Sequence, residues 1–323
     1  MSRVIGVLSG KGGVGKTTVV ANLGAALTNI FNQNVLIFDS NISTSHLGLH
    51  LGMYEDLPVT LREVLKGQES VLHAVHVHPS TGIRLLPAPL SGDGLNLTKN
   101  KCCQLVDEVK NNYDMVILDC APGLGKEVMT QISAIDEALI ITTPDLPALT
   151  DAIKTAEIVT KMGKKVAGIV LNRHSNSKYE LTTKEIESTI NYSIIGTVPD
   201  DKRVPESIFK GVPVVMSFPS SPASLAMKRL GATLIGVEYR GTGFLERVKQ
   251  LFGKRARATA PPGIAEQQTS PEPAEPEPPV PEDEAQSKEA EVEDVGKLRE
   301  GLRSEIREEL KRKVAKRLEE RAE

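Results

Sequence analysis

The stretch GKGGVGKT at residues 10–17 constrains the fold more than any other part of the chain. It matches the phosphate-binding pattern G-x-x-x-x-G-K-[ST], which requires a strand before it and a helix after it. The apolar run VIGVLS (4–9) provides the strand, and TTVVANLGAALTNIF (17–31) is a helical stretch. A chance glycine-rich turn would lack these neighbours, so we interpret residues 10–17 as a loop whose backbone N–H groups surround phosphate oxygens.

The residue types within this loop indicate separate tasks. Lys16 is placed to reach the β- and γ-phosphates of a nucleotide, and the Thr17 hydroxyl is placed to join the shell of a bound Mg²⁺. The other predicted binding residues of the loop and the helix start are Gly10, Lys11, Gly12, Gly13, Val14, Gly15 and Thr18. The general pattern does not require Lys11, so the role of this second lysine needs an explanation of its own.

Short apolar runs alternate with helical stretches up to about residue 257. Four further runs read as buried strands, and two more are strand candidates: 34–39, 114–119, 137–143 and 165–172, then 82–87 and 193–199. Continuous apolar strands separated by helices predict a mostly parallel sheet that is covered on both faces. The expected fold is therefore a doubly wound α/β domain of the P-loop NTPase type.

The composition divides the chain into four predicted regions. Residues 1–240 form the α/β domain, and residues 241–257 carry an amphipathic helix pattern. Residues 258–287 are rich in Pro and Glu and hold too little apolar surface to order themselves, which predicts a disordered linker. Residues 288–323 carry Leu, Ile or Val every four positions among charged residues, which predicts a long charged helix. We interpret the linker and this helix as an arm that recruits a partner.

Charge, cysteines and the chain start narrow the expected class of protein. The 39 basic and 42 acidic side chains give no global argument for nucleic acid as a partner. The three cysteines form no C-x-x-C pair, which indicates a reduced cytosol and argues against an iron–sulfur carrier. The histidines of HAVHVHP (73–79) lack acidic or cysteine partners nearby, so no metal site is expected there. No signal peptide or membrane span is predicted, so we expect a cytoplasmic protein that is soluble or bound to a membrane surface.

The octet KGGVGKTT (11–18) resembles the deviant Walker A sequence of the MinD/ParA ATPases, and the resemblance covers about residues 1–256. MVILDCAPG (115–123) is similar to the family's Walker B segment, which implies that Asp119 organises the water shell of Mg²⁺. VLNR (170–173) and VPDD (198–201) are similar to its adenine-binding segments. The residues that the resemblance places at the base are Asn172, Arg173, Pro199 and Asp200.

Lys11 is the lysine that distinguishes this family. The resemblance implies that Lys11 reaches across an ATP-dependent homodimer and contacts the nucleotide held by the partner subunit. A second cation near the transferring phosphate would stabilise developing charge, as an arginine finger does. In the alternative interpretation, Lys11 contacts only the phosphates of its own nucleotide or solvent.

The segment FDSNISTSHLG (38–48) departs from the family pattern. The family usually carries D-x-D, in which the first Asp lies near Mg²⁺ and the second orients the attacking water. Asp39 is present here, but Asn41 occupies the second position, and an amide cannot take a proton from water. Our hypothesis is slow ATP hydrolysis and a long-lived dimer; alternatively, positioning of the water suffices. The predicted catalytic residues are Lys11, Lys16, Asp39, Asn41 and Asp119, and the predicted Mg²⁺ group is Thr17, Asp39 and Asp119.

The segment GTGFLERVKQLFGKRAR (241–257) indicates whether this chain is more similar to the membrane-binding or to the DNA-binding members of the family. Five apolar residues fall on one helical face, with basic residues beside and beyond it: Phe244, Leu245, Val248, Leu251 and Phe252. This pattern is typical of a helix that lies in an anionic membrane surface, and it resembles the membrane-targeting helix of MinD-type members. The alternative is that this face packs on the domain as ordinary core.

These resemblances imply a MinD-like ATPase that uses ATP/ADP and Mg²⁺. We expect it to dimerise on ATP, to bind the inner face of the cell membrane peripherally, and to position an unidentified protein cargo in cell division or polarity. Three alternatives stay open. The first is a ParA-like ATPase that partitions DNA or cargo, the second is a nucleotide-locked scaffold without turnover, and the third is a regulator indifferent to membranes.

Overall fold

The computed structural model describes residues 2–239, apart from 54–56, 90–94, 176, 178, 179, 182 and 191. The predicted amphipathic helix (241–257), linker (258–287) and terminal helix (288–323) lie outside these described residues. The five predicted membrane-facing side chains therefore lie outside them too: Phe244, Leu245, Val248, Leu251 and Phe252. Among the described residues, no helix combines the length and the hydropathy needed to span a bilayer.

One eight-stranded sheet forms the centre of the described chain. Its strands are β1 (Arg3–Leu8), β2 (Val35–Asp39), β3 (His76–Val77), β4 (Arg84–Leu86), β5 (Met115–Asp119), β6 (Glu137–Thr142), β7 (Lys165–His174) and β8 (Ile194–Pro199). The spatial order is β3-β4-β2-β5-β1-β6-β7-β8, and all neighbours are parallel except β3 and β4. Each apolar run predicted as a strand forms one, while the two-residue strand β3 was not predicted.

Helices cover both faces of the sheet, as the alternating pattern predicts. They are α1 (Lys16–Asn29), α2 (Leu47–His50), α3 (Leu61–Leu65), α4 (Lys99–Lys110), α5 (Lys126–Ala134), α6 (Leu146–Lys161), α7 (Thr183–Thr189), α8 (Arg203–Phe209), α9 (Val214–Ser217) and α10 (Pro222–Ile235). Helices α4, α5 and α6 pack on one face, and α1, α9 and α10 pack on the other. The doubly wound α/β fold is therefore confirmed.

The central strands are apolar on both sides because each face has its own core. In β1, Val4 and Leu8 belong to the core under α4–α6, whereas Ile5 and Val7 belong to the core under α1 and α10. Full burial of one such aliphatic side chain contributes about 1.5–3 kcal/mol. A strand in this position therefore reads as an unbroken apolar run rather than an alternating one.

The sheet brings three loops together at one edge. Strands β1, β2 and β5 are adjacent and parallel, and Asp39 at the end of β2 pairs in register with Asp119 at the end of β5. We call the three segments that follow these strands the phosphate loop (10–17), the β2 loop (40–46) and the β5 loop (120–125). In sheets of this kind, ligands bind outside the carboxyl ends of the strands.

Candidate functional site

The phosphate loop depends on glycine at two positions for different reasons. Gly15 has φ 89°, and a Cβ there would lie 2.2 Å from Nδ2 of Asn172. At Gly10, a Cβ would lie 2.5 Å from the backbone oxygen of Asp151 in α6. A real Cβ does not approach other atoms this closely, so glycine lets α6 and the Asn172 side chain of β7 pack directly against the loop.

The packing at Gly10 gives a testable stability difference. Gly10→Ala is expected to lower the free energy of unfolding by about 1–3 kcal/mol, because the added methyl must displace α6. The matched variant Gly12→Ala places its methyl where no atom lies within 4 Å and should unfold like the wild type. Denaturant unfolding of the three proteins checks this, and equal losses in both variants would contradict the packing argument.

Lys16 and two carboxylates form the buried centre of the site. Nζ of Lys16 lies 2.8 Å from Oδ1 of Asp119, and the two side chains are 7% and 1% exposed. Asp39 is fully buried beside them. Burial raises the pKa of Asp39 to about 7, and the neighbouring Asp119 charge adds to this rise. One lysine therefore faces two acidic groups, an arrangement that favours an additional cation.

A divalent cation would have to share its ligands with a phosphate. Among the described residues, no group of three or more His, Cys, Asp and Glu side chains is arranged as a metal site. Mg²⁺ typically takes one or two carboxylates and completes its shell with water and substrate phosphates. The carboxylates of Asp39 and Asp119 beside the phosphate loop, together with the Thr17 hydroxyl, fit this requirement.

Lys11 lies at the rim of the site instead of joining Lys16. Its Nζ is 3.2 Å from Oδ1 of Asp145, and both side chains are about two-fifths exposed, at 40% and 44%. Asp145 also accepts hydrogen bonds from the backbone N–H of Ala148 and the hydroxyl of Thr143. Partial burial opposes ionisation of Asp145, but these hydrogen bonds and Lys11 hold its pKa below the ordinary value. An exposed ion pair contributes only about 0–1 kcal/mol, so releasing Lys11 costs little.

The side chain of Asn41 closes a turn within the β2 loop. Its Nδ2 donates to the backbone oxygen of Thr44 at 2.8 Å and to the Thr44 hydroxyl oxygen at 3.1 Å. Its backbone N–H donates to Oδ1 of Asp39 at 3.2 Å. An aspartate at this position would have no side-chain N–H to donate to the backbone oxygen of Thr44. This local task for the amide was not predicted from the sequence.

Asn172 holds the phosphate loop from the end of β7. Its Nδ2 donates to the backbone oxygen of Val14 at 2.7 Å, and the residue is 6% exposed. The family resemblance placed Asn172 at the base of the nucleotide. In the structure the donor is taken by the phosphate loop, and the amide oxygen is the group left to face a ligand.

A pocket of about 350 Å³ lies beside Asn172. Five residues predicted to bind the nucleotide contribute to its lining: Thr18, Asn172, Arg173, Pro199 and Asp200. Val198 and Asp201 belong to the predicted segment 198–201, whereas the remaining lining residues were not predicted and are apolar: Val204, Pro205, Ile208 and Met227. Apolar walls with a few polar groups are typical of small-ligand pockets, and this volume accommodates a purine base.

The histidines near β3 serve packing within the described chain. The ring Nε2 of His76 hydrogen-bonds the backbone oxygen of Val59 at 2.6 Å. In His78, Nε2 hydrogen-bonds the backbone oxygen of Leu51 at 2.7 Å, and Nδ1 accepts from the N–H of Thr81 at 3.1 Å. Both rings therefore tie loops together by hydrogen bonds to the protein.

Comparison with known proteins finds relatives across the described region. A ParA family model, described as "NUBPL iron-transfer P-loop NTPase", matches residues 1–235. An uncharacterised ATP-binding protein of Methanocaldococcus jannaschii is 34% identical over 263 residues, which cover 79% of this chain and 98% of that protein.

Two solved structures share the fold. The septum site-determining protein MinD of Pyrococcus horikoshii, complexed with Mg-ADP, is 29% identical with a TM-score of 0.69, covering 72% of this chain and 96% of its own. The MinC:MinD cell division protein complex of Aquifex aeolicus includes a chain that is 29% identical with a TM-score of 0.67, covering 74% and 98%.

Proposed function

Because the chain belongs to the MinD/ParA family of P-loop NTPases, we propose that it is an ATPase that dimerises around Mg-ATP. We propose further that the dimer binds the inner surface of the cell membrane and positions partner proteins there. The observation that carries this proposal is the contrast between the two lysines of the phosphate loop. Lys16 is buried on Asp119, whereas Lys11 is exposed at the rim and held by one weak ion pair.

In this proposal each part of the nucleotide has its own group of residues. The phosphate loop amides and Lys16 hold the phosphates, and the base occupies the pocket beside Asn172. Thr17, Asp39 and Asp119 hold Mg²⁺, which supplies charge neutralisation at the β- and γ-phosphates. Asp119 also keeps the Lys16 ammonium oriented, since the two form a buried pair. The MinD relative that was solved with Mg-ADP supports this assignment.

Lys11 completes the site of the partner subunit in the proposed dimer. Its ammonium must leave Asp145 of its own chain before it reaches another nucleotide. The pair is exposed, so the gain from contacting a γ-phosphate exceeds the loss of the ion pair. Because that contact exists only when two subunits face each other, ATP binding is coupled to dimerisation.

Membrane binding is proposed from the pattern of residues 241–257. The apolar face around Phe244 and Phe252 is short, so one copy should bind anionic lipid weakly. A dimer presents two copies, and the second contact becomes intramolecular, which raises the apparent affinity. The names of the relatives favour a role in cell division, and the MinC:MinD complex favours a protein partner.

A second candidate function is a scaffold locked by nucleotide. The observation that favours it is the side chain of Asn41. Its amide is hydrogen-bonded to Thr44, and it has no carboxylate that could take a proton from an attacking water. In this version the protein dimerises on ATP and recruits partners, but turnover is negligible.

Co-sedimentation with anionic vesicles tests the proposed function. The wild type is expected to pellet with ATP and to stay in solution with ADP or without nucleotide. Phe244→Glu should abolish pelleting, because a carboxylate cannot enter the acyl region without a large cost. Phe209→Glu is the matched control, since Phe209 is a 91% exposed phenylalanine of the described domain and should not contribute.

The other outcomes of this experiment each exclude part of the proposal. Pelleting in every nucleotide state would retain the membrane helix and exclude the ATP switch. No pelleting in any state would exclude membrane binding. It would favour a soluble scaffold or a DNA-partitioning ATPase, and the latter would show strongly salt-dependent DNA binding.

A further inference from the structure

Glu127 on α5 holds the β2 loop. Its Oε1 accepts a hydrogen bond from the backbone N–H of Ile42 at 3.1 Å. Its Oε2 accepts one from the hydroxyl of Ser43 at 2.9 Å. Both carboxylate oxygens are thus used on consecutive residues of one loop. Hydrogen bonds to an ionised acceptor are roughly twice as strong as neutral ones, so this is a substantial contact.

Gln131 makes a similar connection one turn further along α5. Its Nε2 donates to the backbone oxygen of Ser40 at 2.7 Å, and its Oε1 accepts from the backbone N–H of Ala121 at 2.9 Å. The residue is fully buried and uses both ends of its amide. Gln131 therefore bridges the β2 loop and the β5 loop directly.

Positions 127 and 131 are four residues apart and face the same side of the helix. Helix α5 follows the β5 loop immediately, so a displacement of that loop is transmitted to both side chains. Through them it reaches residues 40, 42 and 43. Asn41 lies in the middle of this held segment, with its own side chain bonded to Thr44.

Substitutions of Gln131 and of Glu127 differ in how directly they test the role of the β2 loop. Gln131 is buried, and its loss would leave the backbone N–H of Ala121 without this partner, whereas the oxygen of Ser40 would keep the N–H of Ile42. A buried donor left unpaired destabilises any fold.

Glu127 is half-buried at the edge of the site, and Ser43 beside it is exposed. Its two hydrogen bonds go to the β2 loop and to neither the phosphate loop nor the base pocket. Glu127 therefore isolates the effect of holding this loop.

We propose that Glu127 is a positioning residue that holds the β2 loop against α5, the helix that follows the β5 loop, in the arrangement that receives the γ-phosphate. This inference rests on the proposed function, because it concerns the same nucleotide site. The two loops follow the carboxylates of Asp39 and Asp119, which the proposed function assigns to Mg²⁺. Without Glu127, the β2 loop samples other conformations, and affinity for a triphosphate falls with the fraction that remains competent.

Nucleotide binding with Mg²⁺ tests the inference, with ADP and the slowly hydrolysed analogue ATPγS as probes. Glu127→Ala is expected to weaken ATPγS binding about tenfold, in the range expected for losing charge-assisted hydrogen bonds. ADP binding should stay within about twofold of the wild type, because the loop does not serve the other phosphates. Glu127→Gln retains one acceptor oxygen and should fall between the two. Glu187→Ala, at an exposed glutamate on α7, is the control and should match the wild type.

The inference would be wrong if Glu127→Ala lost affinity for ATPγS and for ADP by the same factor, kept the wild-type affinity for both, or bound ATPγS more tightly. Hydrogen exchange without nucleotide provides a second, independent test. Faster exchange in residues 40–46 of Glu127→Ala, with the phosphate loop unchanged, is the expected result. No change in residues 40–46 would exclude this role of Glu127 even if the wild type bound no nucleotide. Failure of wild-type binding would refute the proposed function alone.

Discussion

Lys11→Ala protein is expected to remain monomeric in Mg-ATP and to hydrolyse ATP about a thousandfold more slowly than the wild type. The rate effect is at the lower end of that measured for a cation supplied in trans to a transferring phosphate. Lys11 is the exposed lysine of the phosphate loop, so its removal leaves the buried pair of Lys16 and Asp119 intact. Light scattering with ATP and with ADP, together with a steady-state ATPase assay, measures both effects.

Lys110→Ala is a well-matched control for Lys11→Ala. Lys110 is 39% exposed and pairs with Asp107, against 40% exposure and a pair with Asp145 for Lys11. It lies at the end of α4, outside the phosphate loop, and its loss should change neither dimerisation nor rate. Normal ATP-dependent dimers of Lys11→Ala would support the alternative in which this lysine contacts only its own nucleotide or solvent.

Asn41→Asp is expected to accelerate single-turnover hydrolysis by about a hundredfold, since a positioned general base contributes at least that much. The same change should destabilise the protein in the absence of Mg²⁺. It removes the amide donor to Thr44 and adds a third carboxylate near Asp39 and Asp119. Asp39 already has a pKa raised to about 7, so a further negative charge disfavours its ionised form still more. Quenched-flow hydrolysis with protein in excess, and thermal unfolding in EDTA, measure the two effects.

Asn41→Ala separates the two tasks of residue 41. It removes the turn-closing amide without adding a charge. If the amide positions the attacking water, this variant should be slower than the wild type. If Asn41→Asp proves no faster than the wild type, the hypothesis that Asn41 limits hydrolysis is wrong, and positioning of water by an amide suffices.

The fold was predictable because its signals are local and continuous. Runs such as MVIL (115–118) and ALII (138–141) are apolar without interruption, and strands covered on both faces require that pattern. The edge strand His76–Val77 was missed because two residues are too few to show any period. The phosphate loop was predictable for the same reason as the strands, since its spacing lies within eight consecutive residues.

The site beyond the loop was predictable only where a polar residue marked it. Ile208 and Met227 line the base pocket, but from the sequence they cannot be distinguished from ordinary core residues. The bond from Asn172 to Val14 joins residues 158 positions apart, which no local pattern encodes. The turn of Asn41 with Thr44 did carry a local signal, because Asn side chains commonly close short turns.

The hydrogen bond from Asn172 to the backbone of Val14 couples the base pocket to the phosphate loop. The strand end beside the base pocket is also an anchor of the loop that surrounds the phosphates. A base that fits the pocket poorly would displace Asn172 and thereby increase the mobility of the phosphate loop. A mismatched nucleotide would therefore also dissociate faster. A nucleotide with the wrong base would then be distinguished by its shorter residence time on the protein, because its phosphates would be held less firmly.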